Sequence, residues 1–525
     1  MRTNQIALLA AGLLGLLDCD VSVMPYCAAG SPECTTPPVG DGGLGGLDGS
    51  DGAHVESGGC DPEPAVSLCG VTESRGVFVA PTGSDATGSG TRAAPYATIT
   101  HGVGAAKASG KNVYVCAGDY AENVILAAAE DGVSIYGGLD CVSWSYATAN
   151  RVKVAPAAAG YALEVASLSV GTTLEDLEFD AQNAPAATAG ASSVAAFVHG
   201  SENVTLTRVV LVAGAGSNGA AGTSAGPPGP SDWDTSDGGL NGASATSSAP
   251  GPQTTCTCPL DTAQETVGGV GGSPSQTAFG GTPLYEPDAG AGTAGVSAAS
   301  CNMLGGGTDG VSAPAAAQDP ASVSAGTLSA TGWSPATGTS GSFGQPGQGG
   351  GGGGNGPASS GFGGGGACGG CGGAGGAGGS GGGGSIALLV YQSSVRLSDC
   401  TLTAVAGGTG GPGGNGEAGQ AGSAVGGNGA GGGCQGGAGG AGGGGNGGQG
   451  GPGGISGGIV FTGTAPTVNG ATVMSEAALA GVTISATMSP GGAPGMAGAA
   501  ANSRAAAGSN GASGAPGKSQ AVLGL

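Results

Sequence analysis

The sequence predicts an all-β protein, a solenoid of short parallel strands, and three observations carry that expectation. A six-residue pattern, apolar at its first, fourth and sixth positions, occurs four times: Leu174-Glu-Asp-Leu177-Glu-Phe179, Leu206-Thr-Arg-Val209-Val-Leu211, Leu397-Ser-Asp-Cys400-Thr-Leu402 and Leu479-Ala-Gly-Val482-Thr-Ile484. The hairpin dipeptide Asn-Gly is missing between the adjacent strand-like runs of residues 77–155, which favours a parallel stack over a meander. The 124 glycines and 30 prolines among 525 residues, with only 4% aromatic and 9% charged residues, exclude one ordinary globular enzyme filling the chain.

Strand side chains alternate with a period of two, so a step of three between apolar residues inserts a corner. One strand ends, two residues turn, and the next strand begins with its side chain inward again. Four such copies read as four rungs.

The elements follow in order. Residues 1–18 read as an export signal, with Arg2 as the lone base and an apolar run from Ile6 to Leu17 that is too short to span a bilayer. Leu16-Leu17-Asp18-Cys19 resembles a bacterial lipoprotein signal, which implies lipidation of Cys19; Asp18 stands where that signal has a small residue. Residues 19–72 are a Gly/Asp/Pro tether unable to bury enough apolar surface to offset its ordering entropy. From 73 to 213 strand-like runs appear at 77–80, 112–116, 123–126, 132–136 and 152–155, with a helix over 96–109. Further rungs are expected at 385–405 and 455–486, and apolar runs at 194–198, 386–390 and 459–461 supply another wall ahead of the second, third and fourth corners.

Between the rungs lie glycine-rich excursions at 214–384 and 406–454 and a Gly/Ala-rich tail at 487–525. Each leaves the repeat beyond the same apolar position (Leu211, Leu402, Ile484), so all three are expected to project side by side from one edge. Glycine recurs every third residue from 407 to 422 and from 433 to 457. Collagen shares that period but needs far more proline. Two arrangements stay open: a bundle of three-residue-period glycine helices exchanging backbone hydrogen bonds, or flexible disorder.

Fourteen cysteines in an exported chain suggest disulfides. Setting Cys19 aside leaves Cys27, Cys34, Cys60, Cys69, Cys116, Cys141, Cys256, Cys258, Cys301, Cys368, Cys371, Cys400 and Cys434, an odd number, so one thiol stays free or pairs between chains. Cys27 with Cys34 and Cys60 with Cys69 are natural local partners. Cys256-Thr-Cys258 and Cys368-Gly-Gly-Cys371 invite a zinc or redox reading, but sit in glycine-rich sequence without an ordered knuckle or a following helix, so they read as staples across the insertion.

The stretches Gly76-Val-Phe-Val-Ala-Pro-Thr-Gly-Ser-Asp85, Gly90-Thr-Arg-Ala-Ala-Pro-Tyr-Ala-Thr-Ile99, Val113-Tyr-Val-Cys-Ala-Gly-Asp-Tyr120 and Gly132-Val-Ser-Ile-Tyr-Gly137 resemble the opening of the pectate-lyase-like domains of exported bacterial proteins. That resemblance covers residues 76 to 180 and implies a right-handed parallel β-helix with a short N-terminal cap helix. The glycine segments resemble those of PE-PGRS-type surface proteins, without the N-terminal helical module of that family. Together the chain is similar to secreted or lipid-anchored PGRS-like β-helix proteins of Gram-negative bacteria, of myxobacterial type. Fold is not function, since the family mixes lyases, hydrolases and non-catalytic surface proteins.

A formal net charge of −23 excludes nucleic acid as a partner, because its phosphates would be repelled. An enzyme of this fold needs carboxylates and a base on one face, and the local candidate is the corner column Asp176, Arg208 and Asp399. Stacked rungs place these one above another, where an alternating-charge ladder is the plainer reading. His54, His101 and His199 have no ligand spacing. Asp41, Asp48, Asp51 and Asp61 fit no calcium loop, and no metal or cofactor is expected. The expected function is that of a non-enzymatic protein of the outer cell surface or extracellular matrix, or of the periplasmic face. Its expected partners are the membrane, through the lipid, and extracellular glycans or neighbouring surface proteins. The alternative is a polysaccharide lyase or hydrolase acting on acidic glycans. A glycan-binding module without turnover needs aromatic platforms, and Trp144 is the only tryptophan of the folded half.

Overall fold

A computed structural model describes residues 61–226, 241–258, 264–284, 292–296, 301, 304–317, 319–321, 324–356, 361–474, 480–484, 488–503 and 505–525, all within one compact unit, Cys60–Leu525. The export signal, Cys19, Cys27, Cys34, His54 and most of the tether lie outside the described residues. No helix among them is long and apolar enough to cross a membrane.

The chain is all-β, with three sheets whose strands pair in parallel apart from one terminal hairpin. The first wall holds Gly76–Val79, Asn112–Cys116, Ile135–Leu139, Thr172–Glu175, Val204–Thr207, Val395–Ser398 and Thr467–Val468. The second holds Gly118–Tyr120, Val152–Val154, Leu177–Asp180, Val210–Val212, Thr401–Ala404 and Val482–Ile484; the third holds Val124–Leu126, Leu163–Ala166, Ser193–His199, Ser385–Tyr391, Ser456–Thr462 and Ser519–Gly524. From Asn112 onward the chain visits the walls in the order first, second, third, six times over.

The repeat forms this way because its apolar positions stack. Leu174 pairs with Leu206 and Leu206 with Leu397 in the first wall, while Phe179, Leu211 and Leu402 pair in the second. In the third, Leu163, Ala196, Leu388, Ile459 and Val522 line up. All of these side chains are buried in one continuous core. Complete burial of an aliphatic side chain is worth about 1.5–3 kcal/mol, so each column holds successive turns together. A helix, Ile99–Ser109, closes the first end by burying Ile99, Val103 and Ala106. It begins three residues later than the sequence suggested, because Thr98 caps it by accepting from the His101 N–H, and it ends where Gly110 turns left-handed at φ 65°.

Two expectations need correction. The fourth copy of the pattern does not supply a whole rung: the first wall ends instead at Thr467–Val468, which folds back on Ala471–Thr472. The Asn469-Gly470 turn between them, with φ of 48° and 80°, carries the hairpin dipeptide that is absent between the runs of 77–155. It also moves the register, so that Val482, not Ile484, pairs with Leu402. Leu479 lies outside the described residues.

Disorder is the wrong alternative for the described glycine segments, which form a hydrogen-bonded bundle. Outgoing segments leave the second wall after Val212, Ala404 and Ile484, and returning segments enter the third wall at Ser385, Ser456 and Ser519. Returning segments pair in parallel: the N–H groups of Gly364, Ala367, Gly370, Gly373, Gly376, Gly379 and Gly382 donate to the carbonyls of Cys434, Gly437, Gly440, Gly443, Asn446, Gln449 and Pro452. Outgoing segments run antiparallel to them, Gly408, Gly411 and Gly414 donating to Gly383, Ser380 and Ala377, and residues 338–354 add a third layer. The step of three throughout leaves each residue of a turn facing a different neighbour.

Glycine content follows the number of neighbours. Residues 349–354 are six consecutive glycines, and a Cβ added to Gly349, Gly350 or Gly351 would lie 1.9, 2.1 or 1.9 Å from the carbonyl oxygens of Val267, Gly437 and Thr293, which belong to three separate segments. Residues 489–500 lie at the margin and keep glycine mainly at 492, 495 and 498, while Pro490, Ala493 and Met496 face outward. Polar side chains mend what the lattice leaves open: the Asn218, Asn415 and Asn510 Oδ1 atoms accept from the Thr409, Met496 and Ala497 N–H groups.

The outer face of the third wall is covered as well. A hairpin, Gly326–Ser329 with Gly332–Pro335, brings Leu328 and Trp333 onto Val194, Phe197, Ile386, Leu389 and Val460.

Candidate functional site

The corner between the first and second walls carries the column expected from the sequence. Asp176, Arg208 and Asp399 all sit there with φ near +53° (54°, 52° and 52°), and the Asp176 and Arg208 N–H groups donate to Thr207 and Ser398 in the next turn. A short polar residue tolerates this left-handed conformation more readily than a branched one. The fourth member is Asn469, at φ 48°, whose Oδ1 accepts from the Asp399 N–H at 2.9 Å. Gly481, which holds the same third position in the fourth copy of the pattern, is not in the column, because that copy is shifted so that Val482 pairs with Leu402.

The guanidinium of Arg208 grips Asp176 at both ends, Nε to Oδ1 at 2.9 Å and Nη2 to Oδ2 at 3.1 Å. The Tyr146 hydroxyl donates to the same Oδ2 at 3.0 Å. Two partners invisible in the pattern join them. Glu175, only 1% exposed, is ion-paired with Arg208, and Glu63 approaches it to 3.5 Å from the segment that precedes the first wall. One guanidinium thus answers three carboxylates. Burial, together with the nearby Glu63 charge, pushes the Asp176 carboxyl up despite the Tyr146 hydrogen bond. Asp399 is exposed and takes no part in the grip, so the column is a pair with a solvated neighbour rather than a continuous charge ladder.

A polar cavity of about 190 Å³ opens beside the column, lined by Asn150, Arg151, Asp176, Glu178, Arg208 and Asp399. Arg151 is paired with Glu178 at 2.7 Å, and Lys153 lies between Glu178 and Asp180. No aromatic ring lines it.

The remaining candidates resolve into structural roles. Cys116 is bonded to Cys141, Cys256 to Cys368, Cys258 to Cys371 and Cys301 to Cys434, and Cys69 is also disulfide-bonded. With Cys256, Cys258, Cys368 and Cys371 oxidised in pairs, no thiolate set for zinc is present there. Among the described disulfide candidates Cys400 is the exception: it is a free, buried thiol just past the Asp399 corner, donating to the carbonyls of Leu206 and Ser398, while Cys27, Cys34 and Cys60 lie outside the described residues. It occupies the inward fourth position of the repeat, where its neighbours are aliphatic, and burial pushes its thiol up to about 11. His199 is bonded to Glu164 at 3.1 Å and stacks on Phe197, while His101 packs on Tyr96. Among the described residues no group of three or more His, Cys, Asp or Glu side chains is placed to hold a metal ion.

No family model, curated protein or solved structure matches this chain.

Proposed function

We propose that this chain is a non-enzymatic exported protein, lipid-anchored at Cys19, in which a right-handed parallel β-helix carries a stiff glycine bundle for surface coating, adhesion or weak multivalent contact. The cyclic visiting of three parallel walls supports the β-helix reading. The bundle is the observation that carries the function. Its backbone groups are largely consumed by its own segments, three disulfides brace it, and its described surface is mainly Gly, Ala, Ser, Thr and Pro. Such a surface offers few anchor side chains for tight binding, so contact through it is weak and gains strength by repetition. Disulfides in this number fit an oxidising compartment.

The test is labelling and shaving of intact cells that make the chain. An alkyne fatty acid is expected to label it, and Cys19→Ser to abolish the label. Elastase is expected to release peptides from 214–384 without permeabilisation. Release only after the outer membrane is opened would overturn surface display in favour of a periplasmic protein.

The polar cavity supports a second reading, an acidic-glycan lyase or hydrolase using Asp176, Arg208 and Asp399. Against it, Arg208 is held by three carboxylates and is poorly placed to remove a proton. Calcium-dependent cleavage of an acidic glycan, lost in both Asp399→Asn and Arg208→Ala, would favour this reading over the first.

A further inference from the structure

A second cavity, of about 480 Å³, opens at the surface of the glycine bundle and is lined by Asp309, Ser312, Gly422, Ala424, Gly439 and Asn502 among others. Its position follows from the hydrogen-bond lattice. Segment 489–500 lies against segment 406–424 and segment 433–454. The N–H groups of Gly410, Gly413, Gly416 and Gly419 donate to the carbonyls of Pro490, Ala493, Met496 and Ala499. In turn Gly492, Gly495 and Gly498 donate to Gly451, Gly448 and Gly445. The chain then turns, closed by Ala505 N–H to Asn502, and runs back along 505–517.

The two supporting segments do not stop at that turn. Segment 406–424 continues to Gly422, the next donor in its series, and segment 433–454 continues to Gly439, two steps further along its acceptor series. Neither the Gly422 N–H nor the Gly439 carbonyl has a hydrogen-bond partner among the described residues. Across the gap, Asp309 Oδ1 and Ser312 Oγ accept from Ala438 and Ala441 N–H, closing the far side. The cavity is therefore the unfilled continuation of the row that 489–500 occupies.

We propose that this slot binds one extended peptide segment, with glycine at every third residue, contributed by another protein chain. The three-residue steps of the occupied half set the ligand's period, and the depth of the row sets the glycine. In the occupied half, a Cβ on Gly492, Gly495 or Gly498 would lie 1.9, 1.9 or 1.8 Å from the carbonyl oxygens of Gly411, Gly414 and Glu417. A segment continuing that row meets the same wall. Its other two residues per turn are free to vary, as Pro490, Ala493 and Met496 do. At about 3.1 Å per residue, six residues span roughly 19 Å, two full turns of the row.

The probe is the blocked nonapeptide with the sequence of residues 492–500, Gly-Ala-Pro-Gly-Met-Ala-Gly-Ala-Ala, titrated into the full chain. Saturable binding is expected, with exchange of the Gly422 amide slowed at least tenfold at saturation. The same peptide with its three glycines changed to alanine is expected to bind at least tenfold more weakly. Ala424→Trp, which fills the slot from an exposed wall position, is expected to weaken binding by a similar factor while leaving the thermal transition in place. Absence of saturation at millimolar peptide, an unchanged Gly422 amide, or equal binding of the alanine peptide would overturn the proposal. The amide readout needs no variant, so a misfolded Ala424→Trp would not rescue the idea.

Discussion

The walled stack and the glycine bundle solve one problem with opposite means. Both are layers of extended chain joined by backbone hydrogen bonds to neighbours far away in sequence. In the stack each turn presents Leu, Val, Ile or Phe to the interior, and the columns Leu174–Leu206–Leu397 and Phe179–Leu211–Leu402 bury apolar surface between successive turns. In the bundle no room exists for a side chain on the contact faces, and cohesion comes from peptide groups meeting peptide groups. The stack gains from large residues and is damaged by small ones. The bundle is damaged by any Cβ on an occupied face and bears the entropy that glycine loses on ordering. Three of the described disulfides, Cys256–Cys368, Cys258–Cys371 and Cys301–Cys434, brace the bundle.

Removing the paired staples should have the largest effect. Each of Cys256–Cys368 and Cys258–Cys371 closes a span of more than 110 residues (112 and 113), and closing a loop of roughly 100 residues is worth about 4.7 kcal/mol on the chain-entropy account. Because the two bonds lie side by side, either one closes most of that loop. Replacing one pair by serine should cost about 2 kcal/mol and replacing both about 5 kcal/mol, read as the loss of elastase resistance in the bundle. Equal, additive losses would mean that the bonds act on separate parts of the fold.

Two single substitutions then test the opposition itself. Leu206→Ala, at a fully buried column position, should destabilise by about 3 kcal/mol, lowering the midpoint of the apolar transition. Gly351→Ala adds one methyl group against the Thr293 carbonyl and should cost about 2–3 kcal/mol, although alanine forms extended structure readily elsewhere. The control is Ala493→Ser on the exposed margin, expected within about 0.5 kcal/mol. A tolerated Gly351→Ala would refute the account of glycine content as a count of neighbours.

The corner column offers a sharper case, since its members can be structural or catalytic. Arg208→Ala should leave Glu175 buried without its partner and cost about 3 kcal/mol. Combining it with Glu175→Gln should recover much of that loss in thermal denaturation. Recovery would assign Arg208 to holding the corner; a full loss in the double variant would point away from the pairing.

How much of this was legible in the sequence follows from which interactions are periodic. The corner residues were found because the repeat fixes their register, and the common edge of the excursions followed from where each one leaves. Glu63 and Glu175 escaped, Glu63 because its segment comes back across the first wall from outside the repeat, and Glu175 because an outward position normally reads as solvated. The covering segment, where Pro62 and Gly70 accept from the Tyr114 hydroxyl, buries that position, and no periodic signal announces it. Strand Gly118–Tyr120 is hidden because Ala117-Gly118-Asp119 reads as a turn, and Leu163–Ala166 because its Leu, Glu and Ala residues follow an Ala-rich stretch that favours helix over strand. The bundle's order was ambiguous for a different reason: glycine every third residue is needed for close packing and is equally compatible with a flexible chain. The neighbours decide it, and they belong to other segments tens of residues away, as Cys434 does for Gly364 and Gly383 for Gly408.

The smallest effect isolates the stack from the bundle through pH. Asp131 lies at the turn after Leu126, and its carboxylate accepts from the N–H groups of Ser169, Val170 and Gly171 at 2.9–3.0 Å and from the Ser169 hydroxyl at 2.8 Å. Against the burial that pushes it up, the backbone donors of Val170, Gly171 and Ser169 and the Ser169 hydroxyl hold this carboxyl well below the usual carboxylate range. A folded value below the unfolded one means that the folded form binds the proton less readily. The stabilisation is complete above the ordinary aspartate value of about 4 and is lost as pH falls through and below it. Asp131→Asn should therefore lower stability near neutrality and flatten the acid limb of the stack's transition. The bundle, with few carboxylates among its described residues, should keep its elastase resistance over the same range. An unchanged acid limb in the variant would remove Asp131 from the pH response and leave the other carboxylates of the stack to account for it.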